Sequence, residues 1–147
     1  MRGIRFRLDD RTLMINNEQC AIITGFDKYA VSMSGNIYNI KTGKQLKPHK
    51  YYMLKRKYND LGKLVSTGTG EKTKYYYIAI PLFDNNGKRR LRYVHRLVAQ
   101  EWLKDTDLNP DGTPIVGKKC TNHIDHNPAN NKVTNLEICD CKYNATH

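Results

Sequence analysis

The stretch YYYIAIPLFDNNGKRRLRYVH, residues 75–95, limits the fold more than any other part of the chain. β-Branched and aromatic residues stand on both sides of Asp-Asn-Asn-Gly, a run in which Asn and Gly tolerate the left-handed backbone that tight hairpin turns require. An antiparallel hairpin follows, with strands near Tyr76 to Phe83 and Leu91 to Val94. The chain then changes period. In VHRLVAQEWLKD, residues Val94, Leu97, Val98, Glu101 and Trp102 recur at helical spacing, and the four apolar members share one face. This predicts a helix from about His95 to Lys104 packed on the hairpin.

Further turn signals divide the rest. DKYAVSMSGNIYNIKTGKQLKPH places two short strands around Ser-Gly-Asn, with a second turn at KTGK. LGKLVSTGTGEKTK reads as a flexible basic insert between strands, either simply solvated or in contact with a nucleic acid. LNPDGTPIVGKK is a loop by its Pro and Gly content. Near the end, KCTNHID and NLEI are short strands joined by the turn-rich NPANN, and Asp140 is placed to cap a helix entering CKYNATH. The class is α+β, and 147 residues suit one domain, 1–147, with a modest core.

Charge indicates the partner. A net charge of +11 on this length favours a polyanion, and nucleic acid fits better than an acidic membrane. Residues 122–147 hold two lysines against three acids, a net −1, so the preceding residues carry +12. Between Lys41 and Tyr75, ten Lys or Arg are interleaved with Tyr51, Tyr52, Tyr58 and Tyr75. Lys55, Arg56, Lys57, Arg89, Arg90 and Arg92 are the candidate DNA-binding residues, the arginines through a β-ribbon that enters a groove. Tyr51, Tyr52 and Tyr75 to Tyr77 could stack on bases, but a hydrophobic sheet face is the expected use. No apolar run approaches the 18 or so residues that span a bilayer, and no signal-type segment opens the chain, so no membrane partner is expected. Cys20, Cys120, Cys139 and Cys141 lack the spacing of a disulfide framework; reduced thiols in a cytoplasmic protein are the expectation.

The amide-rich end, TNHIDHNPANNKVTNLEICDCKYN, sets two histidines and six asparagines among few apolar residues. Asn122-His123 is followed by Asn135 after twelve positions and by Asn144 nine further on. In a strand, loop, strand, helix layout, these residues resemble the HNH nucleases, whose ββα-metal core closes around one metal ion. Upstream, YAVSMSGNIYNIKTGKQLKP resembles the NUMOD4-type module that precedes HNH domains in phage and intron-encoded homing endonucleases. VHRLVAQEWL resembles the helix placed just before their catalytic hairpin. The likeness spans about Tyr29 to Asn144, interrupted by the insert around residues 54–74. It divides the chain into an upstream module, 27–50, and a nuclease core with its preceding hairpin and helix, 76–147.

Phosphodiester hydrolysis needs a nucleophilic water, neutralisation of the phosphate and help for the departing oxygen. The resemblance makes His123 the general base, Asn122 and Asn144 the oxygen ligands of a divalent cation, and Asn135 the brace of the loop that orients the histidine. Mg²⁺ is the expected metal, with no small-molecule cofactor. Where many relatives carry aspartate this chain has Asn122, so two neutral amides would hold the metal weakly without the phosphate; Asp125 and Asp140 are the acids near enough in sequence to compensate. His147, three residues after Asn144, is an additional candidate ligand and would shift preference toward Mn²⁺, Ni²⁺ or Zn²⁺. His95, His49 and His126 read as packing, capping or surface residues. The end at His147 suggests a compact nuclease without the C-terminal DNA-reading segment of homing relatives, acting as a monomer in the cytoplasm, the host's if phage-encoded. Two alternatives stay open: a DNA-binding protein without activity, and a structural zinc module using Cys120, His123, His126, Cys139 and Cys141.

Overall fold

The computed structural model describes residues 5–7, 10–54, 57–58, 60–62, 64–66, 71–103, 108–109 and 112–140. Strands β1 (Arg5–Arg7), β2 (Thr12–Ile15), β3 (Glu18–Ile23), β4 (Phe26–Ser32), β5 (Ile37–Asn39) and β6 (Gln45–Leu46) form one sheet in chain order, every neighbour antiparallel. Such a meander needs only tight turns. Ile15 pairs with Glu18, leaving Asn16 and Asn17 as a two-residue loop at φ 53° and 64°, the doubly left-handed turn that asparagine enters with little cost. Strands β1 to β3 were not anticipated; the strands flanking Ser-Gly-Asn were, and they form β4 and β5.

This sheet is apolar on both faces. One face, with Leu13, Ile15, Cys20, Ile22, Ala30 and Tyr38, makes a small cluster of its own. The other contributes Ile23, Phe26, Tyr29, Val31 and Ile37 to the main core, where they meet residues from the second half of the chain.

That half begins with β7 (His49–Leu54), followed by β8 (Lys57–Tyr58), β9 (Leu64–Ser66), β10 (Lys72–Phe83) and β11 (Arg89–Tyr93). The Asp-Asn-Asn-Gly hairpin forms as expected between β10 and β11, its turn closed by Asp84 Oδ1 accepting the backbone N–H of Asn86 and of Lys88, both at 2.9 Å. Asn85 at its tip docks on the N-terminal sheet: its N–H donates to Gly25 O at 3.0 Å, and its Oδ1 accepts from Asp27 N at 2.9 Å. β7 takes the other edge of β10. The insert corrects its loop assignment, since β9 pairs with β8 and β10 starts at Lys72. The Val and Leu of KLVST supply the strand tendency that its glycines obscured.

The predicted helix is shorter in α-form. Helix α1 (Val94–Val98) passes into a π-helical turn, Ala99–Leu103, and Lys104 lies outside the described residues. In that wider turn Trp102 Nε1 donates to Val31 O at 3.0 Å, and Glu101 Oε2 accepts Thr24 N–H at 3.0 Å. Tertiary bonds to the sheet thus replace the last α-turns that spacing alone predicts. Val94, Leu97 and Val98 join Ile80 and Leu82 in the main core, as the pattern required; each such buried side chain contributes about 1.5–3 kcal/mol.

The chain closes with β12 (Lys119–His123) and β13 (Leu136–Asp140), an antiparallel pair whose Leu136 anchors it in that core. The cap expected at Asp140 concerns a helix outside the described residues, while Asp140 itself is described. It ends β13, its N–H donating to Asn109 Oδ1 at 2.8 Å and its Oδ2 accepting from Asn109 Nδ2 at 3.1 Å. The helix expected beyond it falls in residues 141–147, outside the described set.

Candidate active site

His123 is the last residue of β12, paired with Leu136, and both are buried. Its backbone begins a loop, residues 124–135, that asparagines hold together. Asn135 Oδ1 accepts Asp125 N–H at 3.1 Å, while its Nδ2 donates to Asp125 Oδ1 and to Asn130 O, both at 2.8 Å. Asn135 O also accepts Ile124 N–H at 2.8 Å. One buried side chain thereby satisfies groups at both ends of the loop.

Asp125 is consumed by the same loop. Its carboxylate accepts from Asn130 Nδ2 at 2.9 Å, Asn127 N–H at 2.8 Å and Asn135 Nδ2, and these donors pull its pKa down to about 2. Neither Asp125 nor Asp140 is therefore spare to offset the neutral Asn122. The acid beside Asn122 is instead Glu137, its cross-strand partner in the register, whose Oε1 accepts Asn122 Nδ2 at 2.9 Å. That bond holds the amide through its Nδ2.

The imidazole of His123 is held from both sides. Asn131 Oδ1 lies 2.7 Å from Nε2. An amide oxygen only accepts, so a neutral ring paired this way carries its proton on Nε2 and leaves Nδ1 with its lone pair. The ring also packs on His95, centroids 4.9 Å apart, and His95 sits against Tyr77 at 5.2 Å and Tyr93 at 5.7 Å. His95 is buried, and its Nδ1 has no hydrogen-bond partner among the described residues. Burial, with smaller contributions from the charges of His123 and Arg96, pushes its pKa down to about 3. This is a neutral packing histidine, in line with the sequence reading.

His123 opens on a cleft of about 430 Å³ lined by Asn122, His123, His126, Lys74, Tyr75 and Tyr76, with Tyr77, Thr121 and Pro128 completing it. His126, at φ 62°, takes the turn position expected of it and is exposed. Above the cleft, the β7–β10 sheet corrects another expectation. All of β7 is exposed, and Tyr51, Tyr52 and Tyr75 show 37%, 40% and 64% of their surface, so this aromatic surface, which spans both sides of the sheet because adjacent strand residues alternate, is not a covered core face. Lysines lie over it: Lys50 Nζ is 4.7 Å from the Tyr76 ring, Lys72 5.6 Å from Tyr52 and Lys74 5.3 Å from Tyr75.

The predicted DNA contacts divide. Arg90 bonds Asp84 of the hairpin turn at 3.3 Å, and Arg92 lies over the Phe26 ring of β4 at 5.2 Å, so both, though exposed, have partners within the fold. Arg89, on the opposite face of β11, is exposed. Lys55, Arg56, Asn144 and His147 lie outside the described residues, as does the side chain of Lys57. Two neighbours of this site escaped sequence reasoning: Asn131, hidden in an Asn-Asn pair read as turn formers, and Glu137, whose register opposite Asn122 was the available signal; Lys74 and Tyr75 belong to the basic, tyrosine-interleaved stretch already noted in the sequence.

Of the zinc alternative's residues, Cys141 lies outside the described set. Among the described residues no three His, Cys, Asp or Glu side chains converge on an ion position, and Cys120 is disulfide-bonded rather than a reduced thiol. Cys20 and Cys139 are free and buried.

No protein-family model matches the chain. Two curated relatives, both described as uncharacterized HNH endonucleases of Acanthamoeba polyphaga mimivirus, are 29% and 28% identical over 82% and 85% of this chain. The chain spans 27% and 24% of their lengths, about a quarter of each. A solved structure, described as DNA binding and cleavage by the HNH homing endonuclease I-HmuI, matches with a TM-score of 0.54 at 28% identity. The match covers 86% of this chain and 55% of that one. In sequence and in fold the chain resembles the HNH endonucleases.

Proposed function

We propose that this chain carries a metal-dependent HNH endonuclease activity that hydrolyses phosphodiester bonds in DNA, in the manner of phage or mobile-element homing enzymes. The observation that carries the reading is His123: buried, opening on a cleft, and bonded through Nε2 to Asn131 so that Nδ1 is the available base. Taking a proton from water at Nδ1 needs no rearrangement of the ring. Asn135 holds the loop that presents it.

The donor atoms suit a hard cation. Asn122 Oδ1 on a strand next to Glu137, with Asn144 as the second amide, is an oxygen set of the kind Mg²⁺ or Mn²⁺ accepts. Bound there, the ion would supply charge neutralisation at the scissile phosphate. Two amides bring no net charge, so affinity for the metal alone is expected to be weak and to rise when DNA is present.

For the substrate, the exposed Tyr and Lys face of β7 and β10 continues into the cleft through Lys74 and Tyr75. Cations laid on tyrosine rings present both a charge for phosphates and a flat surface for sugars or bases. Arg89 extends this surface; Arg90 and Arg92 are engaged by Asp84 and Phe26 instead. On this reading the sheet β1 to β6 includes the upstream module of homing relatives.

A supercoiled plasmid with Mg²⁺ or Mn²⁺ tests the activity. One site cuts one strand per binding event, so nicked circles should precede linear product. The His123→Ala chain should bind the plasmid and leave it supercoiled. Equal nicking by both chains would remove His123 from the mechanism; binding without cutting by the parent would favour the inactive DNA-binding reading.

A further inference from the structure

The contacts that hold His123 continue past the amide-rich loop into the N-terminal sheet, some ninety residues away in sequence. The turn after β4 is closed by three bonds: Ser32 N–H to Asn36 O at 2.9 Å, Gly35 N–H to Ser32 O at 3.0 Å, and Asn36 N–H to Ser32 Oγ at 3.1 Å. Asn36 Nδ2 donates to Glu18 Oε2 at 2.9 Å, and the same oxygen accepts the Tyr38 hydroxyl at 2.5 Å. Ser32 and Tyr38 are almost wholly buried. Moving this turn would break bonds to β3 and β5 together.

Two contacts join it to the loop. Met33 O accepts Val133 N–H at 2.7 Å. Gly35, at φ +87°, lies so close to Asn131 that a Cβ on it would be 3.1 Å from both Asn131 Cβ and Asn131 O. That separation is below ordinary van der Waals contact, and the left-handed φ disfavours any side chain independently. Asn131 is therefore pinned through its backbone from the N-terminal side while its Oδ1 meets His123 Nε2. An imidazole left alone can rotate about its outer torsion and exchange tautomers. Rotation here would replace Nε2 by a carbon at Asn131, and the other tautomer would set two lone pairs against each other.

We infer that the residue 33–35 turn of the N-terminal sheet, acting through Asn131, positions the His123 imidazole and selects its Nε2–H tautomer. The inference rests on the reading of His123 as general base, and it makes Asn131 and Gly35 positioning residues that touch no substrate. It also explains physically why the sheet and the catalytic hairpin share one core: the base is aligned only when the two are docked.

The test compares the full chain with Asn131→Leu, Asn131→Asp and Gly35→Ala, using ¹⁵N NMR of the histidine side chains at about pH 8, where imidazole is neutral, together with plasmid nicking over a range of DNA concentrations. The parent should show a single Nε2–H tautomer for His123. Asn131→Leu should show mixed tautomers and a kcat about 10- to 100-fold lower at unchanged KM. Asn131→Asp, which keeps an acceptor oxygen, should restore the tautomer and most of the rate. Gly35→Ala should fall between, and it decides the matter should Asn131→Leu fail to fold. An unchanged tautomer and rate in both Asn131→Leu and Gly35→Ala would overturn the inference. A parent that holds the Nε2–H tautomer, loses it in Asn131→Leu, yet cuts no DNA would uphold the positioning and sink the nuclease reading instead.

Discussion

Lowering the pH from 7 to 5 should loosen this protein through one residue, His95. The side chain is 4% exposed, lies between Tyr77, Tyr93 and His123, and has its pKa depressed from 6.5 to about 3, first by burial and then by the charges of His123 and Arg96. In the unfolded chain it takes up a proton near pH 6.5; in the folded chain it does not until about pH 3. Between those values the unfolded state binds more protons, so stability rises with pH across the window. The full stability is present above pH 6.5 and drains away as pH falls toward 3. At pH 5, 1.5 units below the unfolded value, the loss is about 2 kcal/mol at 1.36 kcal/mol per unit. Urea unfolding at pH 7.5 and pH 5 measures it, with His95→Phe as the chain lacking the titrating group. Acids such as Glu18, Asp84 and Asp125, whose pKa values are lowered, also weaken the fold in acid, but equally in both chains. If the parent does not lose about 2 kcal/mol more than His95→Phe over this interval, the ring is solvated or partnered and the reasoning fails.

Other outcomes follow from the same contacts. Lys74→Ala and Arg89→Ala should each weaken DNA binding and reduce the salt dependence of log K by about one. Arg90→Ala, already paired with Asp84, should change that slope little; equal effects from all three would mean that the hairpin, not the tyrosine face, meets the DNA. Leu136→Ala removes a buried anchor directly opposite His123 and should cost about 2–5 kcal/mol in chemical denaturation. A loss below 1 kcal/mol would show that the β12–β13 hairpin is held by its loop rather than by the core.

Much of this architecture is written locally. Asp-Asn-Asn-Gly and Ser-Gly-Asn mark turns because their backbone preferences act over a few residues, and the hairpins formed around them where expected. The apolar stripe of Val94, Leu97, Val98 and Trp102 reached the core for the same reason, although bonds to Val31 and Thr24 reshaped the end of the helix. The spacing of Asn122, His123 and Asn135 was legible because a two-stranded hairpin and its loop are a short-range unit. Strands β1 to β3 were less so, since their alternation lies in weakly patterned residues, and the turn joining β2 to β3 is Asn16-Asn17, without glycine.

Alternation alone says which residues share a face, never whether anything covers it. That is why the tyrosines of β7 and β10 looked like core and proved exposed. Only the folded chain could place Glu137 across from Asn122, Asn131 against His123, and Gly35 against Asn131, because those contacts join residues 8 to nearly 100 positions apart, and long-range proximity is set by the packing of the shared core rather than by any local preference.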